Sequence, residues 1–196
     1  MADFRDAIIR GWAQIAERLN LASWWCFLDL RLFWIIPISS LALIAVSFTP
    51  LTVYFEKPFL EAIAIPIAAL SWLVFLIRLA VVCNPFFFIM SYLTFALFMR
   101  EIHFEGAKMF CYFSLAGVAY WFWLWRERIQ DQTNDRQLMS WFALTLAAYC
   151  WAQMASRRWL QFIPGEETFQ TALEEGFEDV AHILMMITGL AGKWKK

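Results

Sequence analysis

The sequence predicts an all-α, polytopic transmembrane helical bundle of about six spans, preceded by an amphipathic helix lying in the membrane interface. Three observations predict it. Of the 196 residues, 62% are hydrophobic and 17% charged, against about 45–50% apolar and about 25% charged in a soluble domain. Apolar runs approaching the roughly 20 residues of a spanning helix recur along the chain. Lys and Arg are unevenly shared between alternate connecting segments, as short loops on two sides of a membrane require.

Residues 1–30 form the predicted interfacial segment. Phe4, Ile8, Trp12, Ile15 and Leu19 recur at helical spacing, with Arg5, Asp6, Arg10, Gln14, Glu17 and Arg18 mostly opposite. Such a helix buries its apolar face at headgroup depth, with Trp12, Trp24 and Trp25 at the boundary. The first long apolar run begins near Leu32, too late for the apolar core of a cleavable signal peptide.

Residues 31–196 form the predicted bundle. The first span lies near 32–48, with Pro37 in its first turns, where a missing N–H matters little. The second lies near 59–77, with Pro66 expected to kink it and Arg78 expected to snorkel toward the interface. Asn84-Pro85 is a helix start, Asn as cap and Pro at the first helical position, so the third span covers about 85–104. The fourth, near 107–125, ends in Trp121, Phe122, Trp123 and Trp125, an interfacial aromatic belt. Residues 126–137 are the most polar stretch and read as a solvated loop. The fifth and sixth spans lie near 138–156 and 170–191.

Charge sets the orientation. With the amino terminus inside, inner segments hold eleven of the 16 Lys and Arg residues and outer segments five. Both termini are then cytoplasmic, in a cell inner or plasma membrane.

The sixth helix carries the informative residues. Its uninterrupted apolar run, Val180 to Leu190, covers roughly 16 Å of a hydrocarbon core near 30 Å. To span, it must carry Glu174, Glu175, Glu178, Asp179 and His182 into the outer half of the membrane. Glu175, Glu178 and His182 share a helical face. The end of the third span supplies Arg100, Glu101, His103 and Glu105. A polar centre is therefore expected between these helices, with Arg100 against Glu174 or Glu178 and His103 near His182.

Three readings of this cluster compete. It binds protons or cations in transport or sensing, because clustered carboxylates in a low dielectric disfavour one another's ionisation. Alternatively its charges are structural ion pairs in a non-enzymatic accessory or assembly subunit of a membrane complex. Third, His103, His182 and Glu178 hold a metal ion for an intramembrane enzyme, His and carboxylate being suitable ligands. Haem ligated by the two histidines is disfavoured by their expected difference in depth, about 10 Å from the helical rise.

Other chemistry lacks a signature. The four cysteines, Cys26, Cys83, Cys111 and Cys150, form no C-x-x-C pair. Phosphate-binding, dinucleotide-binding and nucleophile-elbow motifs are absent from the sequence, and no catalytic residue is assigned. Serines 39, 40, 71, 91 and 114 read as helix-packing hydroxyls. No basic patch with interleaved aromatics suggests nucleic acid. The expected partners are the lipid bilayer and a protein partner or second copy of the chain, since small-residue contacts are few. Gly117 and the Ala-rich stretch 143–148 are the best candidates for close helix approach.

Overall fold

The computed structural model describes residues 27–194. The predicted interfacial helix falls mostly on residues 1–26, outside the described residues. Of the described residues 81% are helical, and none lies in a strand. Six longer helices carry the fold: α1 (Ile35–Ser47), α2 (Lys57–Val82), α3 (Pro85–Glu101), α4 (Ala107–Leu124), α6 (Arg136–Ser156) and α7 (Glu166–Leu190). A single turn, α5 (Gln130–Thr133), interrupts the polar loop, and 3-10 turns precede α1 and α2.

Local chemistry sets the helix starts. The Asn84 side chain accepts from Phe86 N–H at 2.8 Å, with Pro85 at the first helical position. Asp135 caps α6 by accepting from Gln137 and Leu138 N–H. The reversal between α2 and α3 uses Cys83 in the left-handed region, φ 51°, an uncommon conformation for a non-glycine residue. Pro66 lies within α2, whose helix continues on both sides of it, and its ring is exposed. Ser40, Ser47, Thr94, Thr145 and Thr188 return their hydroxyls to carbonyls one turn back, so these buried polar groups are satisfied within their own helices.

Helix α7 lies at the centre, with α1, α2 and α6 packed against it; α3 packs on α2, and α4 on α3. The α6–α7 pair is antiparallel, since Thr145 meets Thr188, Tyr149 meets His182 and Gln153 meets Glu178. Helices α2 and α7 run parallel, with Ser71 bonded to the His182 carbonyl and Arg78 to that of Gly189. Glycines permit two close approaches. A Cβ on Gly176 would lie 2.8 Å from Leu43 on α1, and one on Gly189 would lie 2.7 Å from Val74 on α2. Gly117, expected at a helix contact, instead faces open space. The small residues that do face α7 from α6 are Ala148, Ala152 and Ala155, all buried.

Several charged side chains lie inside an otherwise apolar core, and large apolar side chains lie outside it. Arg78, Glu101, Asp179 and His182 are buried, while Tyr112, Phe113 and Trp123 on α4 are exposed, Phe113 by 71%. By length and apolar character, two segments qualify to cross a membrane, Leu30–Ser47 and Lys57–Val82. The other four long helices do not qualify on that basis. Helix α3 has only 17 residues, and α7 carries Glu and Asp along half its length.

Arg78 does not snorkel. Its side chain is fully buried, and its guanidinium donates to the carbonyls of Gly189 at 2.8 Å, Lys193 at 3.1 Å and also Ala191. It thereby closes the carboxyl end of α7, where unpaired carbonyls and the helix dipole favour a cation. Phe87 lies 4.3 Å below the guanidinium.

Candidate functional site

The site is built on one face of α7 and completed by α3 and α6. His182 occurs mid-helix and its ring is 1% exposed. The antiparallel register brings Tyr149 of α6 beside it, with the hydroxyl 2.7 Å from Nδ1. On its other side, Nε2 lies 3.4 Å from Glu101 Oε1, within ion-pair distance though off the hydrogen-bond direction. Ser71 of α2 fixes the helix backbone at this level by donating to the His182 carbonyl at 2.8 Å.

Glu101, the last residue of α3, is turned inward and buried. Its Oε1 accepts from both Nε and Nη2 of Arg100, at 2.9 and 2.7 Å. The same Nη2 donates to Glu178 Oε2 at 2.6 Å, and Glu178 Oε1 accepts from Gln153 at 3.3 Å. One connected path therefore runs Gln153–Glu178–Arg100–Glu101–His182–Tyr149. It crosses three helices, and the Arg100 fork is its only permanent cation. Charge-assisted bonds of this kind are about twice as strong as neutral ones.

Asp179 stands beside this path. It is buried, its Oδ1 has no hydrogen-bond partner, and Glu101, Glu175 and Glu178 are within electrostatic reach. A lone ionised carboxylate buried in this way costs several kcal/mol.

Two further ion pairs extend the polar face of α7. Lys57, at the start of α2, donates to Glu175 Oε1 at 2.6 Å. Arg158, beyond α6, donates to Glu166 Oε2 at 2.7 Å. The hydrogen bond to Glu166 holds Arg158 above its ordinary basicity; Glu166 is buried but Arg158 is half exposed, so solvent screens its charge.

The expected residues divide as follows. Arg100, Glu101, Glu178 and His182 meet in one network. Glu175 belongs to the adjoining pair with Lys57. Glu174 is half-buried and, of the two carboxylates expected opposite Arg100, is the one that does not meet it. Glu105 is exposed in the turn after α3.

His103 departs furthest from expectation. It follows the end of α3 with φ 55°, is exposed, and directs Nδ1 to the Glu101 carbonyl oxygen at 2.7 Å. Both ring nitrogens of His182 face other residues. His103, His182 and Glu178 thus do not assemble as a ligand set, because the left-handed turn carries His103 out of the packed interior. Among the described residues, no three His, Cys, Asp or Glu side chains form a group able to hold a metal ion. The two imidazoles also do not face each other across a space for haem.

Tyr149, Lys57 and Gln153 join the site without having been singled out as its members, while Asp179, expected in the same half of α7, stands beside it. Tyr149 sits in an apolar run, where a phenol looks like any aromatic. Lys57 starts α2 and meets Glu175 across the bundle, a pairing that no local pattern signals. No protein-family model, curated protein or solved structure matches the chain.

Proposed function

We propose that the chain is a multi-pass membrane protein of the cell inner or plasma membrane whose buried His182–Glu101–Arg100–Glu178 network binds a proton as part of transport or sensing. The exposed apolar side chains of the bundle support the membrane placement. Apolar side chains cover α1, α2 and α4 on the outside, and hydrocarbon solvates such a surface where water would not. In this reading all six long helices span, in alternating directions, with both termini cytoplasmic. Helix α7 spans despite its carboxylates because they face α2, α3 and α6 rather than lipid.

The single observation that carries the proton reading is the setting of His182. Tyr149 OH can donate to Nδ1 of a neutral ring or accept from it when the ring is charged. A proton gained on Nε2 places the positive ring within ion-pair distance of a carboxylate already anchored by arginine. The ring can therefore change charge without losing its partners. A metal cation is less well suited, since Arg100 already occupies both carboxylates. Asp179 is a second group that a proton would neutralise.

The two histidines make a direct test possible. With ring-nitrogen isotope labelling in lipid nanodiscs, the signal absent from His103→Ala belongs to His103, and the other to His182. His182 is expected to take two protonation states that exchange reversibly over the pH range in which the protein stays folded. Glu178→Gln is expected to fold and to move that titration. A ring that keeps one protonation state over the whole range would sink the proposal.

A second reading has its own support. The pairs Lys57–Glu175, Arg100–Glu178 and Arg158–Glu166 fasten α7 to three different parts of the chain. As structural ties they would suit a non-enzymatic subunit of a membrane complex, docking through the exposed aromatic face of α4. A His182 that does not titrate would favour it.

A further inference from the structure

At the opposite end of the bundle from the histidine network lies a cavity of about 660 Å³, between the end of α2, the start of α3, the α5 turn and the residues after α7. Two cations, Arg78 and Lys193, and two carboxylates, Asp131 and Asp135, line it. Two of its polar atoms are buried without a partner, and they are of opposite kind: Nε of Arg78, a donor, and Oε1 of Gln132, an acceptor. Buried polar groups are seldom left unpaired, and Arg78 is fully buried.

An apolar groove of about 510 Å³ adjoins this cavity at Asn84, which lines both. Leu79, Cys83, Phe88 and Trp125 form its walls. It opens on the outer surface of the bundle, the side turned to hydrocarbon in the membrane reading.

We infer that the cavity and groove together bind one zwitterionic phospholipid bearing a primary ammonium, of the phosphatidylethanolamine class, from the cytoplasmic leaflet. The lining charges select it. A purely anionic headgroup would meet two carboxylates, and a cationic one would meet a guanidinium and an ammonium. A phosphate beside a primary ammonium matches both: phosphate oxygens accept from Lys193, with the buried Arg78 cation behind them, and the ammonium donates to Asp131 and Asp135. Part of each charge is already engaged. Asp135 accepts from backbone N–H groups of Gln137, Leu138 and Lys193, and the two terminal nitrogens of Arg78 hold the end of α7. Asp131 and Lys193 are exposed and make no side-chain bond among the described residues, so they carry most of the selection. One acyl chain occupies the groove past Asn84, beside Trp125.

This inference rests on the membrane placement, and not on the proton network. The test is native mass spectrometry of the delipidated full chain in detergent, titrated with phosphatidylethanolamine, phosphatidylglycerol and water-soluble glycerophosphoethanolamine. Phosphatidylethanolamine is expected to bind roughly tenfold more tightly than phosphatidylglycerol, the factor for one charged hydrogen bond. Glycerophosphoethanolamine, which lacks acyl chains, is expected to bind far more weakly than either lipid. Asp131→Asn, at an exposed position facing the ammonium, should erase most of that preference, whereas Lys193→Gln and Trp125→Ala should weaken both lipids alike. Equal affinity for the two lipids, or a preference unchanged in Asp131→Asn, overturns the proposal. Equal binding of the soluble headgroup would overturn the groove. Failure of the membrane placement would show separately, as release of the chain from membranes by alkaline carbonate.

Discussion

Three glycines separate what a residue's identity does from what its surroundings do. Each lies in a helix, where Ala is favoured over Gly by about 0.8–1 kcal/mol. Gly117 has open space where a Cβ would go, so Gly117→Ala should raise the thermal midpoint in detergent. Gly176 would meet the two methyls of Leu43 at 2.8 and 3.1 Å. Those atoms end a flexible side chain, so Gly176→Ala should change stability little. Gly189 would meet the β-branched Val74 at 2.7 Å and the fully buried Phe75 ring at 3.2 Å. Neither can move away cheaply, and overpacking costs about 1–3 kcal/mol, so Gly189→Ala should lower the midpoint. Thermal scanning of the three variants checks the order; a Gly189→Ala as stable as Gly117→Ala would contradict this packing of α2 on α7. None of this order is visible in sequence, where Gly117 and Gly189 both interrupt apolar runs and Gly117 looks the most like a contact. The same limit governs the site. Arg100 and Glu178 could be matched from sequence, because counting helical rise puts opposite charges at one depth. Tyr149 could not, because its role depends on which neighbour its hydroxyl meets.

At the scale of elements, the starts of α3 and α6 were legible and most ties between helices were not. Asn84-Pro85 marks the start of α3 because cap and proline act locally, and the polar loop before α6 announces itself by composition. Arg78 shows the converse. Its place near the end of an apolar helix is compatible with snorkelling to water or with turning inward, and only tertiary contact decides between them. Turned inward, it joins the end of α2 to the end of α7 through four carbonyls, those of Thr188, Gly189, Ala191 and Lys193. A guanidinium presents its donors in a planar fork, which an ammonium cannot reproduce. Arg78→Met should therefore leave the carbonyls at the end of α7 without their cap, at about 1–3 kcal/mol for each group left buried and unpaired. Arg78→Lys should recover part of that loss. Limited proteolysis near residues 188–194 reads the effect: the Met variant is expected to be cut fastest, the Lys variant at an intermediate rate. Equal resistance in all three would mean that Arg78 is not what closes this helix.

The whole molecule places its charges by end. Arg78, Asp131, Asp135 and Lys193 lie at one end, and Lys57, Arg100, Arg158 and Glu166 toward the other, because α2 and α7 run parallel while α6 and α7 run antiparallel. The all-helical architecture was legible because periodic apolar runs, caps and polar loops agree over most of the chain. The number of crossings was not settled by the same signals, since α3 is short and α7 too charged to qualify by composition. Burial accounts for that ambiguity: a helix in the middle of a bundle does not need lipid-compatible side chains all round, so α7 can hide a polar face that hydropathy counts against it. The arrangement predicts accessibility directly. Thr168 is exposed near the start of α7 and Thr133 lies in the polar loop before α6, at opposite ends of the bundle. In a variant with Cys26, Cys83, Cys111 and Cys150 replaced by serine, a cysteine at Thr168 should react with a membrane-impermeant thiol reagent added to intact cells. One at Thr133 should react only after permeabilisation. The reverse pattern would invert the bundle and move the proposed phospholipid site to the outer leaflet. Equal labelling of both positions in intact cells would be incompatible with a chain that keeps its two ends on opposite sides of a membrane, and α7 would then be the buried helix of a differently placed protein.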